Sequence, residues 1–247
     1  MLPLSDDNPH AGWPVVTWAL IAACVIVYLW QATLPAGLGQ QAVYALGMVP
    51  ALLFTDLQLD PSIALVPAWA TLITSMFLHG GLLHLGGNML YMWIFADNVE
   101  VALGHVKFLA FYLLCGVAAA LTQAFLDTES RIPMIGASGA ISGVLGAYFL
   151  LFPRANVRVL MFPWGMVGVP AVVVLGLWFL LQLLDGVSAT GGQGGVAFWA
   201  HVGGFLAGLA LLPFFKPAHV PYFARGHGRA FRISRRDPKD GPWGRRR

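Results

Sequence analysis

Residues 131–143 read RIPMIGASGAISG and place two serines and three glycines between two long apolar runs. Residues 106–126 form the run before this stretch, and residues 138–152 form the run that it opens. Lipid offers a serine hydroxyl few hydrogen-bonding partners, so a polar side chain at the start of a membrane-spanning run indicates function. The first question is therefore whether these runs cross a membrane.

The composition of the chain is that of an integral membrane protein. Of 247 residues, 58% are hydrophobic and 10% are charged, which is too little polar surface to cover a soluble domain of this size. A helix needs about 20 mostly apolar residues to cross the hydrocarbon core. The sequence therefore predicts an all-α membrane protein with six transmembrane helices. These lie near residues 14–31, 82–101, 106–126, 138–152, 169–184 and 197–215.

Two properties of these runs lead to further expectations. The fourth and fifth runs are short, so we expect both to lie deep between their neighbours. No lysine or arginine precedes the first run, and no small-residue cleavage site follows it. We therefore expect a retained helix and not a cleaved signal.

The basic residues predict the orientation. With both ends of the chain in the cytoplasm, thirteen of the fourteen lysines and arginines lie inside and only Arg131 lies outside, so the positive-inside rule favours N-in, C-in. We divide the chain into a short cytoplasmic N-terminus (1–13), a six-helix domain (14–215) and a basic, disordered cytoplasmic tail (216–247). An anionic inner leaflet attracts such a tail by about 1 kcal/mol per basic residue. We therefore expect lipid, and not nucleic acid, as its partner.

Three of the predicted spans begin with polar side chains. Spans two, four and six run in the same direction, so their first residues share one depth. Ser138 begins span four, and His201 lies about one turn into span six. His84 and Asn88 lie four residues apart, on one face of span two, and His79 lies just before that span.

Glycines predict that spans four and six touch. On span four a stripe of glycines lies beside the serine, and on span six a similar stripe carries the histidine. Small side chains let helices approach closely in lipid. Taken singly, such residues usually serve ordinary packing and local hydrogen bonding, but together they predict a Ser–His hydrogen bond between the two helices. The glycines are Gly139 and Gly143 on span four, and Gly204 and Gly208 on span six.

The chemistry that suits this set is acyl transfer. A serine hydroxyl becomes a good nucleophile when a base removes its proton, and histidine suits that role near neutral pH. The N–H of Ser138 at a helix start, with the side chains of His84 and Asn88, is suited to hold an oxyanion. None of the eleven acidic residues lies inside an apolar run at this depth. We therefore expect a Ser–His dyad whose base is oriented by packing.

These residues resemble the motifs of the rhomboid intramembrane serine proteases, and the resemblance covers all six predicted spans. The family pattern is a histidine, a second histidine five residues later and an asparagine; a GxSG serine at the start of the fourth helix; and an Ala-His pair followed by glycines in the sixth. Here these are His79, His84 and Asn88; Gly136, Ala137, Ser138 and Gly139; and Ala200, His201, Gly204 and Gly208.

The resemblance implies a role for each of these residues. Ser138 is the nucleophile, and His201 is the base and later the acid. His84, Asn88 and the N–H of Ser138 form the oxyanion hole, which His79 and Gly136 support. The family cuts single-span membrane proteins near the outer face of the bilayer without a metal or organic cofactor. A multi-pass location in a bacterial inner membrane follows from the same resemblance.

Two positions depart from the family pattern. Family members commonly carry a Trp-Arg pair in the first outer loop, whereas here Trp69 is followed by alanine, which leaves the anchoring of that loop open. Many members carry a tyrosine four residues after the serine, where it stacks on the histidine. Here that position is Ser142, which leaves open what holds His201.

The sequence suggests two alternatives to a protease. One is a catalytically silent rhomboid-like protein that binds transmembrane segments; such relatives usually lose the serine or the histidine, and this chain keeps both. The other is a metal transporter that uses the three histidines, against which no carboxylate accompanies them and no HExxH motif occurs. For a protease, we expect the fifth span and the glycine-rich loop Gly191–Gly195 to admit the substrate.

Overall fold

The protein is mostly helical. The structure, a computed structural model, describes residues 2–8, 12–163, 165–188 and 197–224. Within these ranges four helices are long and apolar enough to cross a membrane, namely Val15–Thr33, His105–Leu126, Ala171–Ser188 and Phe198–Phe215. The helices are α1 (Val15–Thr33), α2 (Ala36–Leu46), α3 (Pro50–Phe54), α4 (Thr71–Thr74), α5 (Leu82–Tyr91), α6 (Asp97–Leu103), α7 (His105–Leu126), α8 (Ser138–Leu151), α9 (Ala171–Ser188) and α10 (Phe198–Phe215).

Helices occupy all six segments that the sequence predicts as spans, and each begins within two residues of the predicted start. The second segment is one continuous helical stretch, in which α5 passes through a π-helical turn, Met92–Ala96, into α6. The short helix α8 lies deep in the protein, as expected, with most of its residues buried. The same expectation is wrong for the fifth segment: only 22% of the apolar window of α9 is buried, because α9 packs mainly against α10 and exposes its other faces.

Helix α8 lies at the centre of the bundle and packs against both α7 and α10, which also pack against each other. The two predicted glycine stripes face each other there. A Cβ added at Gly204 would overlap the carbonyl oxygen of Gly139, and one added at Gly208 would overlap that of Gly143. The two backbones are therefore in direct contact, an approach that any larger side chain prevents.

The all-α prediction missed a small antiparallel sheet, whose strands are β1 (Leu2–Asp6), β2 (Asn156–Met161) and β3 (Gly165–Pro170), in the order β1-β2-β3. Val157 and Val159 are buried in the core, whereas Arg158 and Leu160 between and beside them are exposed. The strands have five or six residues each. Such short strands give little local sequence signal. In addition, β1 pairs with a segment about 150 residues away in the chain.

The segment between α1 and α5, which the sequence predicts as the first outer loop, is tied to the segment that leads into α8. Met48 and Met134 exchange backbone hydrogen bonds of 3.0 and 2.7 Å, and the N–H of Gly136 donates to the carbonyl of Ser75 at 2.9 Å. Trp69, at the position of the missing Trp-Arg pair, is mostly exposed. Backbone pairing thus anchors this loop without an arginine.

Glu100 joins the end of α6 to the start of α1. Its side chain is fully buried, and its two oxygens accept hydrogen bonds from the N–H of Val16 (2.9 Å), the N–H of Thr17 (2.7 Å) and the Thr17 hydroxyl (2.6 Å). The first N–H groups of a helix have no partner within it, and negative charge is favourable at that end. Glu100 therefore caps α1 from another helix.

We expect Glu100→Ala to lower the free energy of unfolding by about 3 kcal/mol, because it leaves two N–H groups and a hydroxyl buried without an acceptor. Glu100→Gln keeps one acceptor oxygen, so we expect roughly half that loss. Unfolding by SDS in mixed micelles measures both variants against the parent. Equal midpoints for the parent and Glu100→Ala would show that the cap contributes nothing.

Candidate active site

Ser138 and His201 meet at one end of the close contact between α8 and α10. Ser138 is the first residue of α8, and His201 lies in the first turn of α10. The serine Oγ lies 2.8 Å from the histidine Nε2, within the range of an O–H···N hydrogen bond. The contact between the two glycine stripes brings the helices close enough for this bond.

Ser138 and His201 both line a cavity of about 860 Å³. The predicted polar side chains of span two also line it, together with the apolar side chains of three other segments. A largely apolar cavity with a few convergent polar groups is typical of a site for a peptide or small-molecule substrate. The polar lining residues include Ser138, His201, His84, Asn88, Ser142 and Tyr91.

His84 presents an N–H to this cavity. Its Nδ1 accepts a hydrogen bond from the N–H of Gly80 at 3.3 Å, so the neutral ring carries its proton on Nε2. That Nε2 faces Gly136: a Cβ added at Gly136 would lie 2.7 Å from it and 3.6 Å from Asn88 Nδ2. Gly136 has a φ of +121°, so both its backbone and the space in front of it require glycine.

Asn88 and the start of α8 supply further donors. The Asn88 Nδ2 is buried and has no hydrogen-bond partner among the described residues, which is costly unless a ligand oxygen satisfies it. The N–H of Ser138, at the first position of its helix, has no partner within the helix. Three donors therefore border the cavity near the serine hydroxyl.

His79 lies behind His84, with the two rings edge to face and their centroids 5.1 Å apart. The backbone N–H of His79 donates to the side-chain oxygen of Gln31 at 3.1 Å, and its ring Nδ1 contacts the carbonyl of Phe77 at 3.2 Å. Burial lowers the pKa of His79 to about 4, and the nearby His84 adds to the effect. His79 is therefore neutral at pH 7, and it contacts His84 without lining the cavity itself.

Two side chains of α9 that were not predicted as site residues contact His201. The Oε1 of Gln182 lies 2.6 Å from His201 Nδ1, and the ring of Trp178 lies with its centroid 6.0 Å from that of the histidine. The expectation that packing alone orients His201 is therefore incomplete. The signal was present in the sequence, since a glutamine inside an apolar run is a costly residue that indicates a partner.

Ser142 has a local role. Its hydroxyl donates to the carbonyl of Ser138 at 2.6 Å, one turn earlier in the same helix, as buried serines in helices often do. The glycine-rich loop Gly191–Gly195 and most of the basic tail, residues 225–247, lie outside the described residues.

Much of the chain is similar in sequence to known proteins. A model of the Rhomboid domain matches residues 67–217, a range that contains all the cavity residues named above. The mitochondrial Rhomboid protein 1 of Saccharomyces cerevisiae is 32% identical over 146 residues, which cover 56% of this chain and 40% of the yeast protein. Rhomboid protease GluP of Bacillus subtilis is 32% identical over 144 residues, covering 58% and 26% of the two chains.

The chain thus spans less than half the length of either relative. The rhomboid domain nevertheless accounts for more than half of the chain. This chain is therefore an integral membrane protein that belongs to the rhomboid family.

Proposed function

We propose that this protein is an intramembrane serine endopeptidase that cleaves single-span transmembrane substrates near the outer face of the membrane. The observation that carries the proposal is the 2.8 Å contact between Ser138 Oγ and His201 Nε2 beside an 860 Å³ cavity. A serine next to a histidine provides the nucleophile and the base that acyl transfer requires.

The first half of the reaction forms an acyl-enzyme. His201 Nε2 takes the hydroxyl proton as Ser138 Oγ attacks the carbonyl carbon of the scissile peptide bond. The carbonyl oxygen becomes an oxyanion, held by the N–H of Ser138, His84 Nε2–H and Asn88 Nδ2. The tetrahedral intermediate then collapses, the C–N bond breaks, and His201 gives its proton to the leaving amine.

The second half repeats these steps with water. His201 removes a proton from a water molecule, whose oxygen attacks the ester carbon of the acyl-enzyme. When the C–Oγ bond breaks, the proton returns to Ser138 and the new carboxylic acid leaves. Each proton goes through His201 Nε2, so neither half requires another catalytic base.

For the membrane arrangement we propose six crossing helices with both ends of the chain in the cytoplasm, in a bacterial inner membrane. The second crossing is then α5 and α6 together, and the fourth is α8. In this topology α5, α8 and α10 all begin on the outer side, which places the Ser138–His201 pair in the outer half of the bilayer. We also propose that the six-helix domain comprises residues 14–215 and that the basic tail lies against the anionic inner leaflet.

Two observations weigh against the alternative functions. A silent protein that only binds transmembrane segments needs neither the bond between Ser138 and His201 nor an unpaired Asn88 amide beside it. For a metal transporter the site lacks ligands: within the described ranges, no three His, Cys, Asp or Glu side chains come together as a metal site.

The test is cleavage by the purified protein in liposomes that contain a model single-span substrate. We expect two products cut near the outer face, no effect of a metal chelator, and covalent attachment of a fluorophosphonate probe to the peptide that contains Ser138. A parent protein that binds the substrate helix but neither cleaves a broad substrate panel nor reacts with the probe would support the binding function instead.

A further inference from the structure

Gln182 completes a chain of three side chains through His201. The Oε1 of Gln182 lies 2.6 Å from His201 Nδ1, and Nε2 on the other side of the ring lies 2.8 Å from Ser138 Oγ. Three helices, α9, α10 and α8, each contribute one member of this chain.

The acceptor at Nδ1 decides which nitrogen of His201 carries the proton. A neutral imidazole has one N–H and one lone pair. When Nδ1–H donates to the Gln182 oxygen, the lone pair remains on Nε2 and accepts the hydroxyl proton of Ser138. In the other tautomer, Nε2–H points at the serine oxygen and cannot remove its proton. Only the first arrangement can start acyl transfer.

The position of Gln182 depends on how α9 lies against α10. Trp178, Gln182 and Gly186 follow each other at intervals of four residues and so share one face of α9. Trp178 lies beside the His201 ring, and a Cβ added at Gly186 would lie 3.2 Å from the Trp199 ring of α10. This face therefore sits close against α10 on both sides of Gln182.

We propose that Gln182 is a positioning residue, which holds His201 in the tautomer and orientation that let Nε2 accept the proton of Ser138. The inference rests on the proposed protease function and assigns α9 a part in it. Because the amide belongs to α9, the base is fully oriented only while α9 lies against α10. A movement of α9 that opens the cavity also releases the base.

Two substitutions at this position separate the hydrogen bond from the bulk of the side chain. Gln182→Met keeps the length and lack of branching but has no strong acceptor, whereas Gln182→Glu keeps an acceptor oxygen. We expect Gln182→Met to lower kcat by about 10- to 100-fold with KM within about twofold, and Gln182→Glu to retain most of kcat. Leu181→Met, at an exposed position next to Gln182, is the matched control and should behave as the parent.

A second measurement reads the tautomer directly and does not require activity. In ¹⁵N-histidine NMR spectra, with the His201 signals assigned by their loss in His201→Ala, we expect the Nδ1–H form in the parent and a mixture or the Nε2–H form in Gln182→Met. A parent that cleaves no substrate would contradict the proposed protease function, and the spectra would still decide the role of Gln182. Unchanged kcat together with an unchanged tautomer in Gln182→Met, or an equal loss of kcat in Gln182→Glu, would overturn the inference.

Discussion

We expect Ser138→Ala and His201→Ala each to lower the rate of substrate cleavage by at least about 1,000-fold, and the double variant to be no slower than either single variant. The effects do not add because the two side chains act as one unit: without the base the hydroxyl stays protonated, and without the hydroxyl the base has nothing to activate. Single-turnover cleavage of the model substrate in liposomes measures all three variants. We expect labelling by the fluorophosphonate probe to disappear in Ser138→Ala and to slow strongly in His201→Ala.

Matched substitutions of the same residue types, far from the cavity, provide the controls. Ser62 and His219 are exposed, so Ser62→Ala and His219→Ala should cleave within about twofold of the parent. Far-UV circular dichroism and SDS unfolding should show that Ser138→Ala and His201→Ala remain folded. Cleavage by folded Ser138→Ala at the parental rate would rule out this serine as the nucleophile.

The parts of the fold that the sequence predicts are those that carry a local signal. Runs of apolar residues with few charges locate the helices, and the spacing of small residues identifies the faces that touch. Ser138 and His201 could be paired because each lies next to a glycine stripe, and the structure has those stripes facing each other. His84 and Asn88, which the sequence predicts at the same depth as Ser138 and His201, line the same cavity.

What the sequence did not show depends on contacts between distant segments. The pairing of β1 with β2 joins residues 2–6 to residues 157–160, and no short-range pattern announces it. The carboxyl group of Glu100 caps α1 at Thr17, 83 residues earlier in the chain, and no residue near Glu100 in the sequence predicts that contact. Gln182 is uncharged, so the lack of acidic residues at this depth did not exclude a side-chain partner for His201.

The contact between α8 and α10 is also where we expect the largest loss of stability. In Gly208→Val the new side chain overlaps the backbone of Gly143, and no rotamer of the valine moves its Cβ away from that oxygen. The helices must separate, so we expect the free energy of unfolding to fall by more than about 4 kcal/mol. SDS unfolding and thermal aggregation measure the loss, and Gly208→Ala should show a smaller one.

The separation should reach the active site, because His201 lies two turns before Gly208 on the same helix. As the helices move apart, His201 Nε2 leaves hydrogen-bonding distance of Ser138, so we expect even the folded fraction of Gly208→Val to label slowly with the fluorophosphonate probe. Ala210→Val places the same valine side chain at an exposed position of α10 and should match the parent in both assays. A Gly208→Val variant with parental stability and labelling would show that backbone contact does not hold the Ser138–His201 pair together.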